Sequence, residues 1–167
     1  MYLIDSIGNG YLAVMEYPGL REDAATAFAA IAGQGIEHVV SLLEPAESAM
    51  LGLAEERAMV QAASMSFESF PIEDMGLPAS VDDFARLSYR IYRRVESGGS
   101  TLIHCRGGLG RSGLLAAAVL LHGGGDVADA FAQVSRGRGQ RVPETAQQAQ
   151  WLRVNQAALI AAAAAAP

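Results

Sequence analysis

Short apolar runs alternate with helical patterns along the first part of the chain. Residues 2–4 and 11–15 are mostly apolar and flank the turn-forming residues 8–10, which predicts two strands joined by a turn. The alanine-rich segment 22–33 predicts a helix that ends at glycines. The stretch 36–43 is mostly apolar toward its end and predicts a central strand.

The middle of the chain continues this alternation. Apolar side chains recur with an approximate helical period over residues 45–64, which predicts a helix in two pieces broken at Gly52. The alternating segment 66–72 predicts another strand. Ser80 is then placed to cap a long helix with one apolar face. That face consists of Val81, Phe84, Leu87, Ile91 and Val95.

The last third of the chain is predicted to be mainly helical. Residues 101–103 are apolar or β-branched and predict a buried strand, whereas residues 114–121 are strong helix formers and predict a buried helix. A capped helix is expected over 126–134, followed by a basic loop over 136–141. We expect Pro143 to open the final helix, because proline is tolerated in a first helical turn.

This order of elements predicts an α/β layer fold with a mostly parallel sheet. A length of 167 residues fits a single domain, and a hydrophobic content of 51% is typical of a folded chain. We expect the domain to span residues 1–160 and a frayed alanine-rich tail to follow over 161–167. Ligand sites in such sheets lie beyond the carboxyl ends of the strands.

A glycine-rich turn joins the strand at 101–103 to the helix that follows it. It consists of His104, Cys105, Arg106, Gly107, Gly108, Leu109, Gly110, Arg111 and Ser112. Such a turn aims backbone N–H groups and the positive end of a helix dipole at one point, which makes an anion site. That field favours the thiolate of Cys105, while Arg111 can hold two phosphate oxygens and Ser112 can hydrogen-bond the sulfur. The turn therefore predicts thiol-mediated phosphate transfer.

The pattern His104-Cys105-x-x-Gly108-x-x-Arg111-Ser112 resembles the active-site signature of the cysteine-based protein tyrosine and dual-specificity phosphatases. It is most similar to the small members, the cyclin-dependent-kinase-inhibitor-3-like phosphatases and their bacterial relatives. The resemblance covers nearly the whole chain and implies a twisted sheet of four or five strands between helices. It implies no metal and no cofactor.

The reaction also needs an acid for the leaving oxygen, because a phenolate or alkoxide leaves slowly without a proton. Asp74 lies in a segment similar to the Pro-Ile-x-Asp-x-x-x-Pro stretch that carries the general acid in the small phosphatases. Glu73, Asp82 and Asp83 are rivals, although Asp82 and Asp83 also suit the first turn of a helix. A plain solvated loop carboxylate is the alternative for Asp74.

Three further residues are expected to support the site. The segment 143–148 resembles the Gln-Thr-x-x-Gln stretch that orients the attacking water in tyrosine-specific members. Gln148 matches the second glutamine, whereas Glu144 replaces the first, so a water-positioning role and a polar first helical turn both remain open for Glu144. His104 is expected to order the loop by hydrogen bonding rather than to transfer protons.

The resemblance implies a two-step reaction on phosphomonoesters. The Cys105 thiolate attacks phosphorus while Arg111 and the backbone N–H groups of 106–111 stabilise the phosphoryl oxygens. Asp74 protonates the leaving oxygen and then takes a proton from water, and Ser112 stabilises the departing thiolate. We expect a phosphorylated protein or peptide as substrate, phosphotyrosine favoured with dual specificity open, and inhibition by oxyanions such as phosphate or vanadate.

The composition of the chain limits the kinds of molecule it is expected to bind and the cellular compartment in which it is expected to occur. The formal charge of −6 argues against a nucleic-acid-binding surface, and a single cysteine excludes an internal disulfide and fits a reducing compartment. The N-terminus has no basic leader, and no apolar run approaches the length of a membrane helix, so we expect a cytoplasmic location without membrane binding. The three histidines form no metal-ligating cluster in the sequence, and His38 is interpreted as a surface or edge residue.

Three other functions remain open. A phosphatase of non-protein phosphates such as phosphoinositides shares the chemistry, but those enzymes tend to carry loop lysines, which are missing here. A rhodanese-type sulfurtransferase also uses a cysteine at the head of an anion loop, but the segments around Asp74 and Gln148 argue against it. An inactive phosphate-binding module would usually lack the cysteine, the arginine or the aspartate, and this chain has all three.

Overall fold

The computed structural model describes residues 1–164, which form a five-stranded sheet with helices on both faces. The strands are β1 (Tyr2–Ile7), β2 (Gly10–Met15), β3 (His38–Ser41), β4 (Ser66–Ser69) and β5 (Thr101–His104). The helices are α1 (Ala24–Gly33), α2 (Pro45–Met50), α3 (Glu56–Ala62), α4 (Val81–Glu96), α5 (Arg111–Leu121), α6 (Val127–Arg138) and α7 (Ala146–Ala164).

The strands are ordered β1-β2-β5-β3-β4, and only the β1–β2 pair is antiparallel. The register places Met15 of β2 and Ser41 of β3 opposite His104 of β5. The carboxyl ends of these three strands therefore reach the same edge of the sheet, next to the glycine-rich turn. The predicted α/β fold with a mostly parallel sheet is confirmed, and the number of strands is five.

Each face of the sheet packs against its own hydrophobic cluster. Because side chains alternate along a strand, Ile103 of β5 lies in the cluster formed with α4, α5, α6 and α7, whereas Leu102 lies in the cluster formed with α1 and α3. Phe84 and Phe28 are completely buried in the first and second cluster, respectively. Burial of one such large side chain contributes about 1.5–3 kcal/mol.

Helix α4 follows the sequence prediction closely. The Ser80 hydroxyl accepts a hydrogen bond from the Asp83 N–H at 3.2 Å, which caps the first turn. The predicted apolar face is buried at Phe84, Leu87, Ile91 and Val95 and partly buried at Val81. The two-piece helix predicted for residues 45–64 is also confirmed, as α2 and α3.

Helix α5 lies in the centre of the molecule, and every one of its residues is buried, Arg111 and Ser112 included. Gly113 allows the chain before α7 to pack closely, since a Cβ at this position would lie 2.9 Å from the Cβ of Val142. The start of α5 is therefore tightly enclosed, which holds the turn that precedes it in one place.

The prediction that His38 is a surface or edge residue is wrong. His38 is only 7% exposed, and its Nδ1 lies 2.8 Å from the Ser66 Oγ across the β3–β4 pair. The side chain of Glu68, on the same strand as Ser66, lies 3.7 Å from the His38 Nε2. The sequence pattern could not show this, because an alternating strand does not reveal which polar position faces a polar partner.

The predictions for the segment after α5 need two corrections. Helix α6 continues to Arg138 and ends at Gly139, whose φ of 72° is the left-handed conformation that favours glycine, so the predicted basic loop is partly helical. Pro143 does not open the last helix, which begins at Ala146. Instead, Thr145 and Gln148 exchange side-chain to backbone hydrogen bonds at its start.

The final helix extends to Ala164, so part of the expected tail is helical. Residues 165–167 of that tail lie outside the described residues. Among residues 1–164, no helix has the length and apolar character needed to cross a membrane.

Candidate active site

Residues 105–110 connect β5 to α5 and curl around the sulfur of Cys105. The Gly108 N–H donates a hydrogen bond to this sulfur at 3.3 Å, and the Ser112 Oγ lies 3.4 Å from it. Cys105 is 2% exposed. The sulfur therefore lies among hydrogen-bonding groups at the N-terminus of α5.

The glycine at position 108 is required by the shape of this loop. Its φ of 68° lies in the left-handed region, and a Cβ there would lie 2.5 Å from the carbonyl carbon of Met15. The Tyr17 N–H also donates to the Arg106 carbonyl at 3.2 Å. The loop is therefore packed directly against the chain that leaves β2.

Arg111 is buried and held by a carboxylate on α2. Its Nη1 and Nη2 donate to the two oxygens of Glu47 at 2.7 and 2.9 Å, and Nη1 also donates to the Ile72 carbonyl at 3.0 Å. Burial alone would lower the pKa of Arg111, but its hydrogen bonds to Glu47 and the negative charges of Cys105, Glu47 and Asp74 raise that pKa above its ordinary value. The guanidinium stays charged and fixed in orientation.

Sequence analysis missed Glu47. It is 6% exposed, and the hydrogen bond from Arg111 lowers its pKa despite the opposing effect of burial. A buried arginine needs a carboxylate partner, and that requirement was the available signal. The sequence could not show which of several acidic residues between 44 and 56 would reach it.

Asp74 lies next to the same guanidinium. Its Oδ1 accepts a hydrogen bond from the Arg111 Nη2 at 2.8 Å and another from the Met75 N–H at 3.1 Å, and its Oδ2 is 3.9 Å from Arg106. The side chain is half exposed, at 49%. Among its rivals, Asp83 pairs with Arg86 on α4. The segment after β4 thus brings Asp74 to the edge of the loop.

Gln148 and Glu144 both lie over the loop at Gly110. A Cβ on Gly110 would lie 3.0 Å from the Glu144 Oε2 and 3.2 Å from the side-chain amide of Gln148. Gln148 is completely buried, and its Nε2 donates to the Gly76 carbonyl at 3.1 Å. It therefore links α7 to the segment that carries Asp74, whereas Glu144 is exposed.

The His104 side chain contacts helix α3 rather than the sulfur of Cys105. Its Nε2 is 2.6 Å from the Glu56 Oε1 of α3, an ion-pair contact without hydrogen-bond alignment, and both residues are buried. The expected loop hydrogen bond from the His104 side chain does not occur among the described contacts.

The remaining loop residues differ in exposure. The Arg106 side chain is 60% exposed, whereas Leu109 is partly buried.

The fold and the loop define a member of the cysteine-based tyrosine and dual-specificity phosphatase superfamily. A family model named PTP-SAK, described as a Swiss Army Knife protein DSP-PTPase phosphatase domain, matches residues 2–166. The chain therefore belongs to this family and is a phosphatase of the tyrosine and dual-specificity phosphatase superfamily. No curated protein sequence matches the chain.

Solved structures show the same fold. A kinase associated phosphatase with its catalytic cysteine replaced by serine aligns with a TM-score of 0.83 and 23% identity, over 90% of this chain and 88% of the other. The active form of Tk-PTP aligns with a TM-score of 0.73 and 27% identity, over 93% and 97%. PTPMT1 aligns with a TM-score of 0.73 and 16% identity, over 99% of both chains.

Proposed function

We propose that this phosphatase hydrolyses phosphomonoesters of proteins through a cysteinyl-phosphate intermediate, with phosphotyrosine favoured over phosphoserine and phosphothreonine. The observation that carries the proposal is the convergence of three groups on one loop. The Cys105 sulfur receives the Gly108 N–H at 3.3 Å, and Arg111 is buried at the end of the same loop. The carboxylate of Asp74 lies 2.8 Å from that guanidinium.

In the first step, the Cys105 thiolate attacks phosphorus, an S–P bond forms and the bond from phosphorus to the ester oxygen breaks. Arg111 and the inward N–H groups of the loop stabilise the charge on the three phosphoryl oxygens. Asp74 gives its proton to the leaving oxygen. A phosphoryl oxygen on Arg111 competes with Asp74 for the Nη2 donor, which releases the carboxyl group toward the leaving group.

In the second step, water attacks phosphorus of the cysteinyl phosphate, a new O–P bond forms, the S–P bond breaks, and inorganic phosphate leaves while the thiolate is restored. Asp74, now a carboxylate, takes the proton of that water. Gln148 and Glu144 lie over Gly110 and are proposed to position the water, while Ser112, 3.4 Å from the sulfur, stabilises the thiolate as it leaves. His104 is proposed to support the loop through its contact with Glu56 of α3.

Charge supports a protein substrate. The loop carries one cation between Cys105 and Arg111 and no lysine, and the whole chain has a formal charge of −6. Such a surface is poorly suited to polyanionic headgroups on an anionic membrane. Inorganic phosphate and vanadate are proposed as inhibitors, because they present the same oxygens to the loop. A cytoplasmic, reducing location is proposed because the single cysteine must remain a thiol to react.

The proposal is tested by comparing kcat/KM on phosphotyrosine peptides, phosphothreonine peptides and soluble phosphoinositides, with Cys105→Ser protein as the blank. The highest value is expected for phosphotyrosine peptides. A clear lead for the inositides would overturn the proposed substrate class but not the phosphatase chemistry. Sulfur transfer from thiosulfate is expected to be absent, and its presence would contradict the proposed reaction.

A further inference from the structure

Arg138, at the end of α6, is buried against the outer side of the phosphate-binding loop. It is 5% exposed, although it belongs to the segment that the sequence predicts to be a basic loop. Its Nε donates to the Gly108 carbonyl at 3.0 Å, and its Nη2 donates to the Gly107 carbonyl at 3.2 Å. One guanidinium thus binds two consecutive carbonyl groups of the loop.

These two bonds determine where the loop N–H groups point. In a trans peptide, the C=O and the N–H of the same unit point in opposite directions. The Gly107 carbonyl and the Gly108 N–H belong to one peptide unit, whose oxygen faces Arg138 and whose hydrogen faces the Cys105 sulfur at 3.3 Å. By the same rule, the bond to the Gly108 carbonyl turns the N–H of Leu109 away from Arg138.

The loop needs such an external restraint. Glycines at 107, 108 and 110 leave its backbone unusually free to rotate. A flipped 107–108 peptide would replace an N–H donor beside the sulfur with a carbonyl oxygen, which repels both a thiolate and a phosphoryl group. A contact that keeps the loop carbonyl groups facing Arg138 therefore also keeps the loop N–H groups facing the Cys105 sulfur.

Arg138 is itself fixed by its surroundings. Its guanidinium carbon lies 3.9 Å from the centre of the Tyr2 ring, and its Nη2 is 3.5 Å from the Glu16 Oε2. Gly137 allows α6 to approach β1, since a Cβ there would lie 2.6 Å from the Leu3 carbonyl oxygen. Through these contacts, Arg138 connects the loop to β1, to the residue after β2 and to α6.

We propose that Arg138 is a positioning residue that orients the 107–108 and 108–109 peptide units of the phosphate-binding loop for oxyanion binding. This rests on the proposed function, in that the loop must bind a phosphoryl group. Arg138 itself touches neither the sulfur nor the position of the substrate among the described contacts. Its effect on catalysis passes through the backbone it holds.

The test compares Arg138→Met with Arg136→Met, which removes the same charge from an exposed position in the same helical turn. For Arg138→Met we expect kcat/KM on an aryl phosphate to fall about 10²-fold, because misplaced oxyanion donors cost that much. Tungstate, a phosphate-like oxyanion, should bind about tenfold more weakly, as expected when a loop N–H no longer points at the charged oxyanion. Arg136→Met should match the parent in both measurements.

Two readouts separate this inference from the proposed function and from simple loss of folding. Tungstate binding and the pH dependence of iodoacetamide labelling need no turnover, and labelling reports on Cys105 alone because the chain has one cysteine. Arg138→Lys keeps the charge next to Glu16 but offers no fork for two carbonyls, so it should fold and still bind tungstate more weakly than the parent. Parent-like tungstate binding and labelling in Arg138→Lys, or in folded Arg138→Met, would overturn the assignment.

Discussion

Asp74 and Arg111 form a direct ion pair, with Oδ1 and Nη2 2.8 Å apart. The carboxyl group proposed as the general acid is therefore held by the guanidinium proposed to bind phosphate. Glu47 on α2 accepts two hydrogen bonds from the same guanidinium, and Asp74 is the more exposed of the two carboxylates. We therefore expect an incoming phosphoryl group to compete with Asp74 rather than with the buried Glu47.

The first prediction tests Asp74 as the acid. Asp74→Asn should lower kcat on a phosphotyrosine peptide about 10²- to 10⁴-fold, the usual contribution of general acid catalysis. The alkaline limb of the pH–rate profile should disappear, and the loss should be smaller for esters of very acidic phenols, which need less help to leave. Glu73→Gln, at the neighbouring exposed position, is the control; an equal loss in that variant would refute the assignment to Asp74.

The second prediction concerns the nucleophile. Cys105→Ser should abolish turnover of an aryl phosphate, because a serine hydroxyl does not ionise in this loop as a thiol does. It should still bind tungstate, measured by calorimetry, since the loop N–H groups and Arg111 are unchanged. Turnover within tenfold of the parent would remove Cys105 from the mechanism. Peroxide should inactivate the parent, and no internal disulfide can form because the chain has one cysteine.

The third prediction concerns Glu47, which is buried with Arg111. Glu47→Gln should destabilise the protein by about 3–5 kcal/mol at pH 7, because it removes the buried countercharge of Arg111 and leaves only the half-exposed Asp74. The folded-state pKa of Glu47 lies below the ordinary value of 4.5, so its contribution is complete above that value and is lost as the pH falls through the lower folded value. Urea unfolding at pH 7 and at pH 4 should therefore show a smaller difference between parent and variant at pH 4.

The fold and the centre of the site could be predicted from the sequence because both are local in the chain. The glycine-rich turn between a strand and a helix brings Cys105, Arg111 and Ser112 together without any long-range contact. The apolar period of α4 and its Ser80 cap are likewise encoded within a few residues. Asp74 was found because its segment carries a motif of its own.

The supporting residues could not be predicted because each depends on contacts between distant segments. Glu47 reaches Arg111 from 64 residues away, and Arg138 reaches the loop from 30 residues away. In the sequence, Glu47 belongs to the predicted helical segment 45–64 and Arg138 to the predicted basic loop 136–141, and neither pattern indicates a buried partner. The role of His38 was predicted from strand alternation and that of His104 from its position just before Cys105, and neither feature reveals that Ser66 and Glu56 face these histidines. A buried charge is recognisable only once its partner is known.

The fourth prediction concerns His122, whose pKa burial lowers from 6.5 to about 4. The Nε2 of its ring lies 2.9 Å from the Ser88 Oγ, between the rings of Tyr89 and Tyr92. Between these pH values the unfolded histidine binds a proton that the folded one does not, so stability falls as the pH falls from 6.5 toward 4. The loss is at most about 2 kcal/mol, allowing for partial exposure.

His122→Leu should remove this part of the pH dependence. Urea unfolding at pH 7.0 and pH 5.0 measures it, and the drop in unfolding free energy between the two should be smaller in the variant than in the parent. Other titrating groups are common to both proteins and cancel in the comparison. An equal drop in both proteins would mean that His122 is not the group responsible.

The last prediction concerns Glu144, which carries a negative charge where the tyrosine-specific phosphatases have a glutamine. Its Oε2 lies 3.0 Å from the position that a Cβ on Gly110 would take, so we expect it to lie near a phosphoryl group bound in the loop and to repel it. Glu144→Gln keeps a hydrogen-bonding side chain and removes the charge. We expect phosphate to bind about two- to fivefold more tightly, a modest gain because the carboxylate is exposed and screened by solvent.

Salt separates this electrostatic effect from a change in shape. The gain in phosphate affinity should shrink when the ionic strength rises from about 0.05 M to about 0.5 M, where the Debye length falls to a few ångströms. Glu22→Gln, which removes the same charge from an exposed position before α1, is the matched control and should leave phosphate binding unchanged. Weaker phosphate binding in Glu144→Gln at low salt would show instead that the carboxylate supports the loop. In that case its effect on kcat would measure a water-positioning role directly.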